Sequence, residues 1–249
     1  MEFKFDKKQE ISYYAADNRL RLTVSALMAF FQDIAIEHSD SAGYTVKRLS
    51  DQNRGWVITN YHIVIDRMPE CGESIVFRTW SSGIKHFQAE RSYTATDSHG
   101  KEIIKAASRW IFMDLEKRAP VAIPPEMDEA YNTGARPAVE GEKYRMPKEK
   151  GEIISSFELE VTRSQTDTNG HTNNTQYAAW ASDMVPEDIY NEYEICDFKI
   201  VFRKESRRGD RLVLNTYKSQ RDGIIEIFTE FLNKESGVVC SEAVSLWRR

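Results

Sequence analysis

The chain has 249 residues, 41% of them hydrophobic and 29% charged, which is enough apolar material for one large or two small domains. Its 34 Lys+Arg against 39 Asp+Glu leave a net charge of −5, so nucleic acid is not an expected partner. The longest nearly apolar stretch, Leu22–Phe31, is far short of the roughly 20 residues that cross a bilayer. No apolar run follows the charged start, so no secretory signal is expected. Cys71, Cys196 and Cys240 form no CxxC or Cys/His cluster and read as free thiols of a reducing cytoplasm.

Along the chain, Val24, Leu27, Met28, Phe31, Ile34 and Ala35 recur at three- and four-residue steps and predict a helix with one buried face, stopped by Gly43. From Trp56 the pattern becomes strand-like: WVITNYHIVI, SIVFRTW, HFQAERSYTAT and EIIKAASRWIFMD, with Asp97–Gly100 as a turn between the last two. Residues 128–150, rich in Glu, Lys, Pro and Gly, read as a connector between domains 1–127 and 151–249. Beyond it a helix is expected between Asn173 and Val185, closed by Pro186. The strands CDFKIVF, RLVLNTY, IIEIFTEFL and VVCSEAVSLW follow, with Lys234–Gly237 in the matching turn. Helix followed by antiparallel meander, twice, predicts two α+β units, each with a helix packed on a curved sheet.

The order is a repeat at residue level. Shifted by 137 residues, Tyr61–Trp80 lies over Phe198–Tyr217 without a gap, and Ala106–Trp110 over Ala243–Trp247. Identical pairs include Ile63/Ile200, Gly72/Gly209, Thr79/Thr216, Ser108/Ser245 and Trp110/Trp247.

The segment Ser164–Trp180, SQTDTNGHTNNTQYAAW, is unlike the rest. Asp167, Asn169 and His171 alternate just before a helix that Thr172 or Asn173 could cap. A helix start offers unpaired amides and a positive dipole end, suited to polarising a carbonyl. A carboxylate there can act as base or nucleophile, and an imidazole can move a proton. A shift of 150 aligns this loop with the first half and sets Asp17, Arg19 and Arg21 over Asp167, Asn169 and His171. Only the second copy keeps the Asn and the His, which suggests one working site.

The pattern D-x-N-x-H-x-N-N-x-x-Y-x-x-W, at Asp167, Asn169, His171, Asn173, Asn174, Tyr177 and Trp180, resembles the active-site segment of the acyl-acyl carrier protein thioesterases. These plant-type and bacterial enzymes end fatty-acid synthesis. SALMAFFQDIAIEHSDSAGY, the block Trp56–Trp80 and ASRWIFMD look like the family's amino-terminal half. FRKESRRGD looks like its YRREC-type strand end. The resemblance implies two tandem hotdog domains, each a long helix wrapped by an antiparallel sheet, with acyl-chain binding in the first and catalysis in the second. It further implies catalytic roles for Asp167, Asn169, His171 and Glu205, with Asn173 and Asn174 in support. Ser206 stands where the plant enzymes have a cysteine. A serine needs an adjacent base, so carboxylate chemistry is preferred: Asp167 or Glu205 activates water, or Asp167 attacks directly. His171 protonates the departing thiolate, while Asn169 and the helix amides hold the oxyanion.

Leu27, Phe30, Phe31 and Ile34 would line the acyl channel by the resemblance, and read as ordinary core by periodicity. Arg203, Lys204, Arg207, Arg208 and Arg211 crowd around Glu205, either as a rim for an acidic carrier protein with its acylated phosphopantetheine arm or as solvated strand-end charges. The histidines show no metal-ligand spacing, and neither metal nor cofactor is expected. Hydrolysis of fatty acyl thioesters on acyl carrier protein is the expectation. A coenzyme A thioesterase, a non-catalytic acyl-binding protein and a hydratase are the rivals. Two fused halves leave both a monomer and a homodimer open.

Overall fold

A computed structural model describes residues 4–131, 135–140 and 144–249. The first half runs β1 (Phe5–Glu10), α1 (Val24–Ser41), α2 (Val46–Asp51), β2 (Arg54–Ile65), β3 (Ser74–Lys85), β4 (Gln88–Thr96), β5 (Glu102–Asp114), the short β6 (Ala119–Pro120) and α3 (Pro125–Tyr131). The second runs β7 (Glu152–Glu160), α4 (Asn174–Asp183), α5 (Glu187–Glu192), β8 (Glu194–Phe202), β9 (Arg211–Arg221), β10 (Ile224–Asn233) and β11 (Val239–Arg248). All neighbouring strands are antiparallel, in the order β1-β3-β4-β5-β2-β8-β11-β10-β9-β7, and β6 pairs with β5.

This order is a duplication drawn as a sheet. Five strands of each half appear in mirrored sequence, and β2 and β8 meet in the middle. There Tyr61 pairs with Ile200 and Ile63 with Phe198, on either side of His62↔Lys199. The 137-residue shift turns the first pair into the second, so a pseudo-twofold axis passes between His62 and Lys199. Even irregularities repeat. The bulge at Ile58/Asn60 against β5 has its counterpart where Leu246 and Trp247 of β11 face Asp197 and Ile195. The expected fold of two tandem hotdogs, each a helix wrapped by antiparallel sheet, is the observed one.

The helix α1 buries the face that its periodicity selects, and adds His38 in the last turn. Thr23 caps its start by accepting from the Ala26 amide. Gly43, at φ +84°, lets the chain turn away beyond its end. Burial, then the Arg91 charge, pushes His38 down to about 3. The ring is therefore neutral, and Nδ1 accepts a hydrogen bond from Arg91 at 2.7 Å. By strand register Arg91 occupies the place of Ile227, so one polar device in the first half replaces an apolar contact of the second. The main core joins both helices and both halves of the sheet, with Phe31, Phe77, Tyr93, Phe198 and Phe231 among its largest members.

The predicted strands appear within a few residues of their expected ends. The β4 strand starts at Gln88 rather than His86, because His86 takes φ +58° in the turn after β3. The second helix ends at Asp183, and Pro186 begins α5. The expected connector, 128–150, starts inside α3, whose Met127 and Tyr131 bury against Tyr44, Leu49 and Phe112. Beyond α3, four of its residues contact the strands. Trp80 Nε1 donates to the Arg136 carbonyl at 3.1 Å, and the Ala138 amide to Ser92 Oγ at 3.0 Å. The Arg109 guanidinium covers the Tyr144 ring, and Lys150 pairs with Glu230 at 2.5 Å. No helix among the described residues is long and apolar enough to cross a membrane.

Candidate active site

The loop before α4 is folded by its own side chains. Asp167 Oδ1 accepts from the amides of Asn169 (2.8 Å) and His171 (3.0 Å), and Gly170 closes the turn at φ +76°. The first copy is built the same way, with Asp17 Oδ1 accepting from Arg19 (2.8 Å) and Arg21 (2.9 Å). Isolated bridges repeat as well: Ala16↔Leu22 and Arg21↔Glu70 in one half, Thr166↔Thr172 and His171↔Arg207 in the other. The aspartate is thus the loop-forming residue common to both copies.

The His171↔Arg207 bridge and the bond from the Thr172 amide to the Ser206 carbonyl (2.8 Å) dock the loop on the chain leaving β8. That docking brings His171 Nε2 to 3.1 Å from Glu205 Oε2, although 34 residues separate them in sequence. The other oxygen, Oε1, accepts from Arg207 at 3.0 Å and from Arg118 at 2.5 Å. Arg118 belongs to the first half, in the turn between β5 and β6. Burial works to raise the Glu205 pKa, but the bonds from Arg118 and Arg207 and the charge of His171 outweigh it, and the net shift is downward. Glu205 is therefore a carboxylate at neutral pH.

Asn173 is the N-cap of α4, its Oδ1 accepting from the amide (2.9 Å) and hydroxyl (2.8 Å) of Thr175, and Asn174 is the first helical residue. Asn169 is exposed at the loop tip. Ser206 is buried, 1% exposed, and its hydroxyl meets only other hydroxyls: Thr172 Oγ1 at 2.6 Å and Tyr177 OH at 2.8 Å. Burial pushes the Tyr177 phenol up to about 12, so it offers no base to the serine. Ser206→Ala is expected to leave hydrolysis largely intact and to cost about 1–3 kcal/mol of stability, by orphaning the Thr172 and Tyr177 hydroxyls. Thermal melts beside an activity assay check both parts, and loss of activity with unchanged stability would make the serine a nucleophile.

The basic cluster is less naked than its sequence. Arg203 pairs with Glu242, Arg207 with Glu205 and Arg211 with Glu235. Lys204 and Arg208 are exposed. A cleft of about 460 Å³ opens beside Glu205, lined also by Lys204, Asn233, Glu235, Ser236, Val238 and Cys240. Leu27, Phe31 and Ile34 are fully buried and Phe30 partly so. Phe30 packs on Phe77 at 5.5 Å, and Phe31 stacks on Tyr93 at 4.6 Å. None of the four lines that cleft. No group of three or more His, Cys, Asp and Glu able to hold a metal occurs among the described residues.

The first copy has become a latch. Arg19 reaches Glu194 at 2.6 Å and the Tyr193 carbonyl at 3.2 Å, Arg21 pairs with the same carboxylate, and the Tyr190 hydroxyl donates to Asp17 Oδ2 at 2.7 Å. Each end of the boundary is thus closed by an ion pair across the halves, and in both the first half supplies the arginine and the second the carboxylate. Arg118 carried no signal in the sequence, since neither its neighbours nor its spacing point to Glu205.

The profile described as acyl-ACP thioesterase N-terminal domain matches residues 2–131, and that of the C-terminal domain residues 148–249. A chloroplastic acyl-(acyl-carrier-protein) hydrolase of Cuphea viscosissima, FATB3, is 26% identical over 239 residues. That match takes in 91% of this chain but 58% of the relative, so the chain spans little more than half the length of the curated relatives it matches. In structure, an acyl-ACP thioesterase from Bacteroides thetaiotaomicron superposes with a TM-score of 0.86 at 23% identity, covering 98% of each chain. The 12:0-ACP thioesterase from Umbellularia californica does so at 0.86 and 20% identity, covering 100% of this chain and 98% of that one. With both family profiles matched in order and together spanning nearly the whole sequence, the chain belongs to the acyl-ACP thioesterase family.

Proposed function

We propose that this protein hydrolyses fatty acyl thioesters carried on acyl carrier protein, releasing free fatty acid and the carrier's thiol. The observation that carries the proposal is the contact of His171 Nε2 with Glu205 Oε2 at 3.1 Å, in the half that alone keeps Asn169 and His171. Glu205, kept ionised, orients the imidazole and stabilises its protonated form. His171 takes a proton from water as the water oxygen bonds to the thioester carbon. The carbon–sulfur bond then breaks, and the imidazolium returns the proton to the departing thiolate. Asn169 and the amide end of α4 face the developing oxyanion. Asp167 shapes the loop that presents His171, a positioning role in place of the direct attack considered from sequence. The thioester is already activated, so the scheme draws on no cofactor.

The first half, 1–127, is proposed to receive the acyl chain and the second, 151–249, to perform the chemistry, joined through 128–150. The substrate class comes from the family and from the Cuphea relative, whose name specifies the carrier-protein ester. Lys204, which lines the cleft, and Arg208, both exposed, are proposed as contacts for an acidic carrier. Three free cysteines support a working place in the cytoplasm. The test is free fatty-acid release from a ladder of acyl carrier protein thioesters, run beside the matching coenzyme A esters. Faster release from the carrier series is the expected result. Preference for coenzyme A would change the partner and keep the site, and tight acyl binding with no release from either would sink the enzymatic reading.

A further inference from the structure

We propose that Arg118, supplied by the first half, is a positioning residue that fixes Glu205 in the orientation that meets His171. The inference rests on the hydrolase reading above and deepens it. Arg118 sits at φ +52° in a turn held from three sides. Asp114 Oδ1 accepts from the Lys117 amide at 2.9 Å, Asp114 Oδ2 pairs with Arg54 at 2.9 Å, and the Leu115 amide donates to the Asn53 carbonyl at 2.9 Å. The guanidinium is therefore presented from a braced support rather than a loose loop.

Arg118 and Arg207 both donate to Glu205 Oε1, at 2.5 and 3.0 Å. With one oxygen claimed twice, the carboxylate has one rotational setting left, and Oε2 faces His171. The charged and titratable groups around Glu205 are Arg118 from the β5–β6 turn, Arg207 two residues on, His171 from the loop before α4, and Lys204, Glu235 and the Cys240 thiol along the cleft. Arg207 alone would leave the carboxylate tied only to its own segment. Arg118 ties it to the other half, so the reacting pair is aligned by the docking of the two halves.

The Arg118 side chain is 61% exposed, so its replacement should not disturb folding, and docking of the carrier is the competing role. The decisive comparison takes Arg118→Ala and Arg118→Lys through the pH dependence of kcat/KM on two substrates: an acyl carrier protein thioester, and the same acyl group on N-acetylcysteamine, which lacks carrier and phosphate. In Arg118→Ala the acid limb should rise by about one pH unit on both substrates, because the coupled pair of Glu205 and His171, which must give up its proton before His171 can act as base, loses a neighbouring cation. The fall should lie in kcat rather than KM, and the lysine should restore part of the limb. An unmoved limb, or a rise in KM confined to the carrier substrate, overturns the positioning role. Carbon NMR of the Glu205 carboxyl in the unliganded protein gives a readout independent of turnover. An upward shift of its titration in Arg118→Ala upholds the pairing even if no thioester is cleaved, and an unchanged titration refutes it even in an active enzyme.

Discussion

His171→Ala should lower fatty-acid release by two to four orders of magnitude, roughly the worth of a general acid–base group. The imidazole is partly exposed and its ring bonds only to Glu205 and, at 3.5 Å, Arg207, so its loss leaves the fold standing and the thermal midpoint nearly unchanged. Glu205→Gln should cost a comparable factor while keeping the side-chain shape, since the amide cannot balance an imidazolium. Asp167→Asn separates the two carboxylates. Asparagine still offers one oxygen to the Asn169 and His171 amides, so the loop persists and most of the activity with it. If Asp167→Asn fell as far as His171→Ala, Asp167 would be the reacting carboxylate and the assignment of Glu205 would be wrong.

The largest stability effect belongs to the first half. Phe31 is fully buried, stacked on Tyr93 and edge-on to Phe77 at 6.1 Å, midway along α1. Phe31→Ala should cost about 3–5 kcal/mol, the transfer term plus the cavity left among aromatic rings that cannot collapse. Urea unfolding measures it as a lowered midpoint at constant slope. Phe30, only partly buried against Phe77, should cost less and is the better candidate to alter chain-length preference when truncated. A nearly neutral Phe31→Ala whose substrates grow longer would mean that Phe31 lines an open channel instead of a filled core.

Much of the fold was legible because each half writes its elements in clean periods: 3.6 along α1 and short apolar runs through β2–β5 and β8–β11. The edge strands were not. FDKKQE of β1 is mostly charged, and EIISSFELE of β7 interrupts its largely exposed apolar residues with Ser and Glu, since an edge strand has no second neighbour to demand a buried run. The helices α2, α3 and α5 are too short for a period to declare itself. In the site, the alternation of Asp167, Asn169 and His171 was visible in the sequence. Both copies keep the aspartate, which holds the loop in each, and only the second keeps the Asn and the His, to which the proposed scheme gives the chemistry. Glu205 entered through resemblance alone, because the bridge from His171 to Arg207 that places it is a tertiary contact. Arg118 was out of reach for the same reason, magnified by the boundary between halves.

With arginines on the first half and carboxylates on the second, these ion pairs also bear on which half recognises which. If two first halves met through β2, the positions facing Arg19 and Arg21 would be occupied by Val57, the counterpart of Glu194. Two guanidinium groups would then lose their acceptor. Two second halves would set Asn169, the counterpart of Arg19, against Glu194. Like halves would each leave one side's charges without the partner they have here, so the ion pairs favour unlike halves. A homodimer must solve one interface for two identical surfaces. Joining the halves in one chain has let each surface specialise, and self-recognition has been given up in return for a committed, unlike partner.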